Sequence, residues 1–325
     1  MRELTISAAE QNQRLDKYLK KYLNKAPGSF IYKMLRKKNI KLNRAKAEGS
    51  ELLNEGDKVQ LFLSQETIDG FRETVSIRKV PFPEVVYEDA HILIVNKPAG
   101  LLTQKAEKMD LSLVDEILYY LEQTGKYDPS DTTVKPSVCN RLDRNTSGLV
   151  LAGIDLAGLQ FLSQALKDRS LKKEYLCIVC GCLDKPLHLK GYLKKDEQAN
   201  QVKLLSLPGK DTVPVETYFT PLSGNGKLTL VKADLITGKT HQIRSHLASA
   251  GYPIIGDTKY GDEKANRMYR QKYGIKHQLL HARYVTFPDS GGIFQYLSGQ
   301  SFSAPLPEHF AQCMLGENLH EKNSK

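Results

Sequence analysis

The sequence predicts two folded units, a small basic one built mostly of helix and a larger one of mixed helix and strand. Three observations carry this. The length of 325 residues exceeds the ~100–200 residues that one domain usually holds. The charge is uneven: residues 1–64 hold 14 Lys and Arg against 7 Asp and Glu, so most of the net +10 sits in the first fifth of the chain. From about residue 85, apolar runs of strand length begin to alternate with helical patterns. A solubility surface has no need to gather one sign of charge, whereas a polyanion-binding module does.

In the first unit, Leu15, Tyr18, Leu19, Tyr22 and Leu23 recur at helical spacing, with lysines opposite. Pro27 and Gly28 end that helix, and Ser29 is placed to cap a second one carrying Ile31, Met34 and Leu35. The second helix and its exit present Lys33, Arg36, Lys37, Lys38, Lys41, Arg44 and Lys46 with no acid among them. Short strands are expected over 40–42 and 59–63, with a turn at Gly56-Asp57. The polar stretch 64–79 reads as a linker, closed by Pro81 and Pro83. In the second unit, strands are expected over 92–95, 149–154, 176–179 and 228–231, and helices over 111–121, 156–166 and 242–250. This pattern fits α/β or α+β, and short turns favour antiparallel pairing. Beyond about residue 316 the chain is polar and reads as a disordered tail.

Composition removes several classes of protein. Hydrophobic residues make up 40%, enough for a sizeable core, which excludes a fully disordered chain. No apolar run approaches the ~18 residues of a membrane span. The charged N-terminal stretch lacks a secretory apolar segment, so the expected location is the cytoplasm. Five cysteines, an odd number, suit a reducing compartment better than a disulfide framework.

One segment concentrates chemistry: Asn140-Arg141-Leu142-Asp143-Arg144-Asn145-Thr146-Ser147-Gly148, directly before an apolar strand. A carboxylate between two guanidinium groups at a loop–strand junction is a side chain that a scaffold can hold rigidly. The competing reading is that Asp143 only caps a turn, as Asp, Asn, Thr, Ser and Gly all do. The triplet Arg-Leu-Asp recurs at Arg14-Leu15-Asp16, where Asp16 suits a helix start, so the context carries the signal. A second segment, Thr237-Gly238-Lys239-Thr240-His241-Gln242-Ile243-Arg244-Ser245-His246-Leu247, sets His241, Gln242 and Arg244 in the first turns of a helix. Residues 233–240 imitate a phosphate loop but hold one glycine and are mostly strand, so no nucleotide site is expected. Cys177 and Cys180, with Cys182 nearby, lie where strand alternation points the first two to opposite faces, so they read as core thiols. His241 and His246, five apart, share no helix face for a metal. Tyr175, in Lys173-Glu174-Tyr175 at a strand opening, is half-buried core or a stacking platform whose hydroxyl can move a proton.

Segment 140–148 resembles the catalytic motif of the RluA-type pseudouridine synthases, Lys173-Glu174-Tyr175 their second motif, and 237–247 their third. Tyr87-Glu88-Asp89, Asn96-Lys97-Pro98-Ala99-Gly100-Leu101, the stretch 251–257, Tyr260-Gly261, Leu280-His281-Ala282 and Ala304-Pro305 agree in order and spacing. Residues 12–64 are similar to the small RNA-binding domain of ribosomal protein S-four, on Arg14-Leu15-Asp16, Ser29-Phe30-Ile31-Tyr32-Lys33 and Gly56-Asp57. The combination looks most like the large-subunit rRNA members, the RluC- and RluD-like group. The resemblance implies an α+β fold: an S-four-like RNA-binding domain over 1–66, a linker over 67–83, a catalytic domain over 84–312 and a polar tail over 313–325. The catalytic domain would hold a central mixed, largely antiparallel sheet flanked by helices. Two positions depart from the family pattern. Asn140 stands where His is common, and Lys239 where Arg is common, which keeps the charge but loses the planar fork.

The implied reaction detaches uracil from ribose in RNA, rotates it and rejoins it through C5, with no cofactor and no metal. The resemblance makes Asp143 its nucleophile or base and Arg244 the guanidinium partner of that carboxylate. Tyr175 would stack on the flipped uracil and share in proton transfer. Arg141 is expected to fill the vacated stack or touch the backbone, and Lys239, His241 and Gln242 to contact substrate. Lys33, Arg36, Lys37, Lys41 and Arg44 are expected to bind phosphates. The expected partner is large-subunit rRNA or an assembling ribosomal particle, met by a monomer, with neither DNA nor a membrane involved.

Overall fold

A computed structural model describes residues 1–8, 10–72, 77–129, 134–196 and 201–321. The first unit contains β1 (Arg2–Thr5), α1 (Leu15–Tyr22), α2 (Gly28–Arg36), β2 (Ile40–Leu42), β3 (Ala45–Lys46), β4 (Lys58–Leu61) and α3 (Gln65–Gly70). Its antiparallel sheet runs β1-β4-β2-β3. Asn43 and Arg44, both left-handed with φ of 50° and 66°, close the β2–β3 hairpin. The periodic residues of α1 and α2 meet over this sheet: Leu15, Leu19, Leu23, Ile31 and Leu35 are all buried, with Ile40, Val59 and Leu61 beneath them.

Three local expectations need correction. Pro27, not Ser29, occupies the cap position of α2, because its extended backbone turns the chain directly into the helix. The stretch read as linker opens with α3, capped by Ser64, whose hydroxyl accepts from Thr67 N at 3.2 Å. Ile68 of α3 is buried in the core of the first unit, and Phe71 packs against it, so the expected linker over 67–83 begins too early. Residues 73–76 of that linker lie outside the described residues. The expected polar tail over 313–325 is also packed through residue 321: Cys313 and Leu319 are buried, and Glu317 accepts from Lys272 and Tyr273 at 2.6 and 2.9 Å. Only residues 322–325 of it lie outside the described residues.

The second unit contains β5 (Glu84–Glu88), β6 (Ile92–Lys97), α4 (Leu113–Gln123), β7 (Ser137–Val138), β8 (Ser147–Gly153), α5 (Leu156–Lys167) and β9 (Lys172–Cys180). There follow β10 (Leu187–Asp196), β11 (Gln201–Leu205), β12 (Thr212–Gly224), β13 (Leu228–Leu235), α6 (Gln242–Ser249) and α7 (Glu263–Tyr273). The chain ends with β14 (Leu280–Thr286), β15 (Ser301–Ser303) and α8 (Glu308–Gly316). One sheet runs β11-β10-β12-β13-β9-β14-β8-β6-β5, with β7 added to β8 and β15 to β14. Every pairing is antiparallel except β14 with β8. This is the α+β architecture with a mixed, largely antiparallel sheet between helices.

Strand alternation sorts the sheet into two faces. Leu93, Val95, Val150 and Ala152 point to the side of α4 and α6, while Ile92, Ile94, Leu149 and Leu151 point to the side of α5. On β9, Tyr175, Cys177 and Val179 join the first face, and Leu176 and Ile178 the core beneath α7 and α8. The first face carries the candidate site.

Candidate active site

The loop before β8 is pinned on both sides of Asp143. Leu142 is buried, donates its N–H to Thr103 Oγ1 and accepts from the same hydroxyl, at 3.1 and 2.8 Å. The Arg144 carbonyl accepts from Gly100 N at 2.8 Å and from Lys97 Nζ at 3.1 Å, while the Arg144 side chain returns to Gly100 O at 3.0 Å. Lys97 is fully buried, and its ammonium also donates to the carbonyls of Pro98 and Leu101, at 2.8 Å each. Burial pushes its pKa down to about 7, against the pull of Asp143 and Glu116. Asn140 brackets the start of β8 by donating to Leu149 O at 3.3 Å and accepting from Leu151 N at 2.8 Å. The Asn at this position therefore has a structural job of its own.

The turn after Asp143 is closed by its backbone, Thr146 N to Asp143 O at 3.1 Å. Its side chain points elsewhere. Asp143 Oδ2 accepts from Arg244 Nη1 at 2.9 Å and lies 3.8 Å from His241 Nε2. The turn-capping reading thus fails, because the carboxylate spans to α6.

Arg244 is only 5% exposed. Its Nε and Nη2 donate to the two oxygens of Asp257, at 2.7 and 2.8 Å, and its guanidinium lies 5.2 Å from the centre of the Tyr260 ring. Burial alone would favour losing the Arg244 proton, but the carboxylates of Asp257 and Asp143 outweigh it and raise the pKa. Asp257 carries the same balance in reverse: burial opposes its charge, and Arg244 with the N–H groups of Lys259 and Tyr260 lowers its pKa.

His241 opens α6 with a left-handed φ of 56°. Its Nδ1 lies 3.0 Å from the hydroxyl of Tyr260, which also accepts from Val202 N at 2.7 Å. The hydroxyl proton has two acceptors in reach, Nδ1 at 3.0 Å and the Val202 carbonyl at 3.5 Å, and giving it to the nearer one assigns Nδ1 as the acceptor and turns Nε2–H toward Asp143. Burial pushes the His241 pKa down, which favours the neutral ring. Tyr175 is buried in the core of the same face, and burial, then the charge of Asp143, hold its phenol protonated well above its ordinary range. Tyr175 is thus a core residue, close enough to Asp143 for that charge to act on its phenol.

The other expected contacts divide. Arg141 and Lys239 are exposed. Gln242 is buried at 2% and spends its amide internally. Its oxygen accepts from Thr237 Oγ1 and Lys239 N, and its nitrogen donates to Glu216 O and Thr217 Oγ1, all within 2.9–3.1 Å. With both donors and both acceptor positions used, it has nothing left for RNA, so its expected substrate role is corrected to a brace for the turn. Residues 233–235 of the phosphate-loop look-alike belong to strand β13 in mid-sheet. On the first unit, Lys33, Arg36 and Lys37 are exposed along one face of α2. Lys41 lies 5.2 Å over the ring of exposed Phe62, and Arg44 sits at the hairpin tip. Asp257, Tyr260 and Lys97 were not picked out by sequence reasoning. All three lie in stretches that follow the family pattern, but a carboxylate after a turn or a lysine ending a strand gives no local sign of burial.

The chain matches known proteins in sequence and in fold. Residues 91–249 match the model of the RNA pseudouridylate synthase family. The chain is 30% identical to ribosomal large subunit pseudouridine synthase C of Salmonella typhi and to that of Escherichia coli K12, over 96% of this chain and 95% of each relative. It is 28% identical to the Vibrio cholerae enzyme of the same name, over 93% and 92%. Among solved structures, human RNA pseudouridylate synthase domain containing 4 superposes with a TM-score of 0.58 at 20% identity, covering 74% of this chain and 95% of that one. Human RNA pseudouridylate synthase domain containing 1 gives 0.51 at 20% identity, over 78% and 100%, and both show the shared fold. With the relatives spanning nearly the whole chain, the protein belongs to the RNA pseudouridylate synthase family.

Proposed function

We propose that this protein converts specific uridines of large-subunit rRNA to pseudouridine, with Asp143 as the nucleophile or base. The observation that carries the reading is the Asp143–Arg244 pair at 2.9 Å, on a loop pinned from both sides. A carboxylate held there can act at the glycosidic carbon or on its neighbouring proton without reorganising. The detached uracil needs a surface on which to turn and a donor for its oxygens. The protonated Tyr175 phenol offers both. Arg141, exposed two residues before Asp143, is free to take the place of the flipped base. The restriction to large-subunit rRNA is supported by the names of the full-length relatives. The first unit, with its S-four-like motifs and surplus of positive charge, would supply much of the affinity for RNA.

The test uses purified protein, an unmodified large-subunit rRNA transcript tritiated at uridine C5, and mapping of the product. Wild-type protein should release tritium, and Asp143→Asn should bind the transcript but form no pseudouridine. Product from pure Asp143→Asn protein, or none from wild type, would overturn the reading.

A further inference from the structure

Lys173 stands two residues before Tyr175 on β9, so both side chains leave the same face of the strand. Its Nζ lies 3.9 Å from where a Cβ on Gly238 would stand. The ammonium therefore rests against the turn between β13 and α6, in which Lys239 is the next residue. Lys173 is half-buried, and among the described residues its side chain makes no hydrogen bond or ion pair. Nearby acids are engaged elsewhere. Glu174 pairs with Lys232 at 3.7 Å, and Asp168 accepts from the N–H and hydroxyl of Ser170. The charge that does act on Lys173 is another cation, Arg169, and burial and Arg169 together push its pKa down.

Arg169 is itself unusual. It follows the C-cap residue Asp168 of α5 with a φ of 63°, a left-handed position where glycine is the common residue. An exposed arginine in a strained conformation whose charge acts on a half-buried lysine, with no ion pair to either among the described residues, is unfavourable in the free protein. An anion bound between them removes the repulsion.

We propose that Lys173, Arg169 and Lys239 form a phosphate site at the edge of the active site, which grips a backbone phosphodiester beside the target uridine. The proposal rests on the RNA reading above. The guanidinium fork and the ammonium suit neighbouring phosphate oxygens, and Gly238 adds no side chain over the Lys173 amine. The contact adds affinity for the RNA backbone and takes no part in the chemical step, so the site acts in binding.

The test compares wild-type, Lys173→Met, Lys173→Arg and Arg169→Gly proteins on the unmodified large-subunit rRNA transcript. Lys173→Met should weaken binding roughly ten-fold and lower the slope of log Kd against log salt by about one. Its single-turnover rate at saturating RNA should stay near wild type, and Lys173→Arg should recover the affinity. Arg169→Gly relieves the left-handed strain, so its melting temperature should hold or rise while its RNA affinity falls. That opposite movement excludes misfolding as the cause. Wild-type affinity and salt slope in both Lys173→Met and Arg169→Gly would remove the site. If wild-type protein binds the transcript yet makes no pseudouridine, the enzymatic reading falls, and the affinity comparison still decides the site.

Discussion

Arg244 is held more firmly by Asp257, outside the proposed chemistry, than by Asp143, with two bonds to the first and one to the second. Asp257 thus fixes the guanidinium, and the guanidinium fixes Asp143. Because the Asp257 side chain is fully buried, Asp257→Ala should cost about 3–5 kcal/mol by leaving a buried charge half-paired. Asp257→Asn keeps the shape but turns an amide N–H toward the guanidinium. Its turnover should fall about a hundred-fold, as for a small misplacement of a reacting group, with rRNA affinity unchanged. Arg244→Ala should lose nearly all turnover, and near-normal tritium release from either variant would refute this chain of support. Two other buried residues set the response to acid. Burial lowers the pKa of His246 and of His281 to about 4. His281 donates from Nε2 to Ala304 O at 3.3 Å, so its Nδ1 accepts from Ser147 at 2.8 Å and the ring is neutral. Between pH 4 and the ordinary histidine value of about 6.5, the unfolded chain binds these protons and the folded chain does not, so stability falls as pH drops. The urea midpoint should begin to decline near pH 6.5; a midpoint flat down to carboxylate pH would count against it. Asp143 and Arg244 were legible in the sequence through their motifs. Asp257 was not, since its importance is a matter of burial and partner, which no run of neighbours encodes.

At the scale of elements, the loop that holds Asp143 leads into β8, which pairs in parallel with β14, with His281 opposite Ser147 and Ala282 opposite Gly148. The two strands approach closely there. Gly148 has a φ of 111°, and a Cβ on it would overlap Ala282 O and lie 2.6 Å from Ala282 N. No flexible side chain can yield, so Gly148→Ala must push β14 away from β8 or twist the loop that holds Asp143. A stability loss of roughly 2–4 kcal/mol is expected from overpacking and a disfavoured backbone, together with lost turnover. A melting temperature within experimental error of wild type would contradict the close approach. The central strands were readable from sequence because buried strands form near-continuous apolar runs and helices repeat at their own period. The errors arose where that signal is short. The six-residue helix α3 buries a single isoleucine, and the last residues are ordered by ion pairs and one leucine, Leu319, in an otherwise polar stretch. Neither leaves a period to detect.

At the scale of the molecule, charge and chemistry fall on different units. Residues 1–64 carry +7 of the net +10, and Lys33, Arg36, Lys37, Lys41 and Arg44 sit on the surface of a unit with its own core. The second unit carries the Asp143–Arg244 pair, where a half-buried carboxylate meets a buried guanidinium. Such a division predicts separable effects. Phosphate contacts add affinity that salt weakens and that is largely blind to sequence. Truncation would test this poorly, because α3 and Ile68 belong to the core of the first unit, and a cut near residue 64 would expose them. The cleaner test keeps the whole chain and changes those five basic residues to Gln. Binding to the large-subunit rRNA transcript should weaken strongly, and the slope of log Kd against log salt should fall by about one for each phosphate that is no longer neutralised. The single-turnover rate at saturating RNA should remain close to wild type, since no change touches the loop before β8 or α6. Unchanged affinity and slope would mean that the surplus charge serves solubility alone. A lost single-turnover rate would mean that the first unit takes part in forming the site.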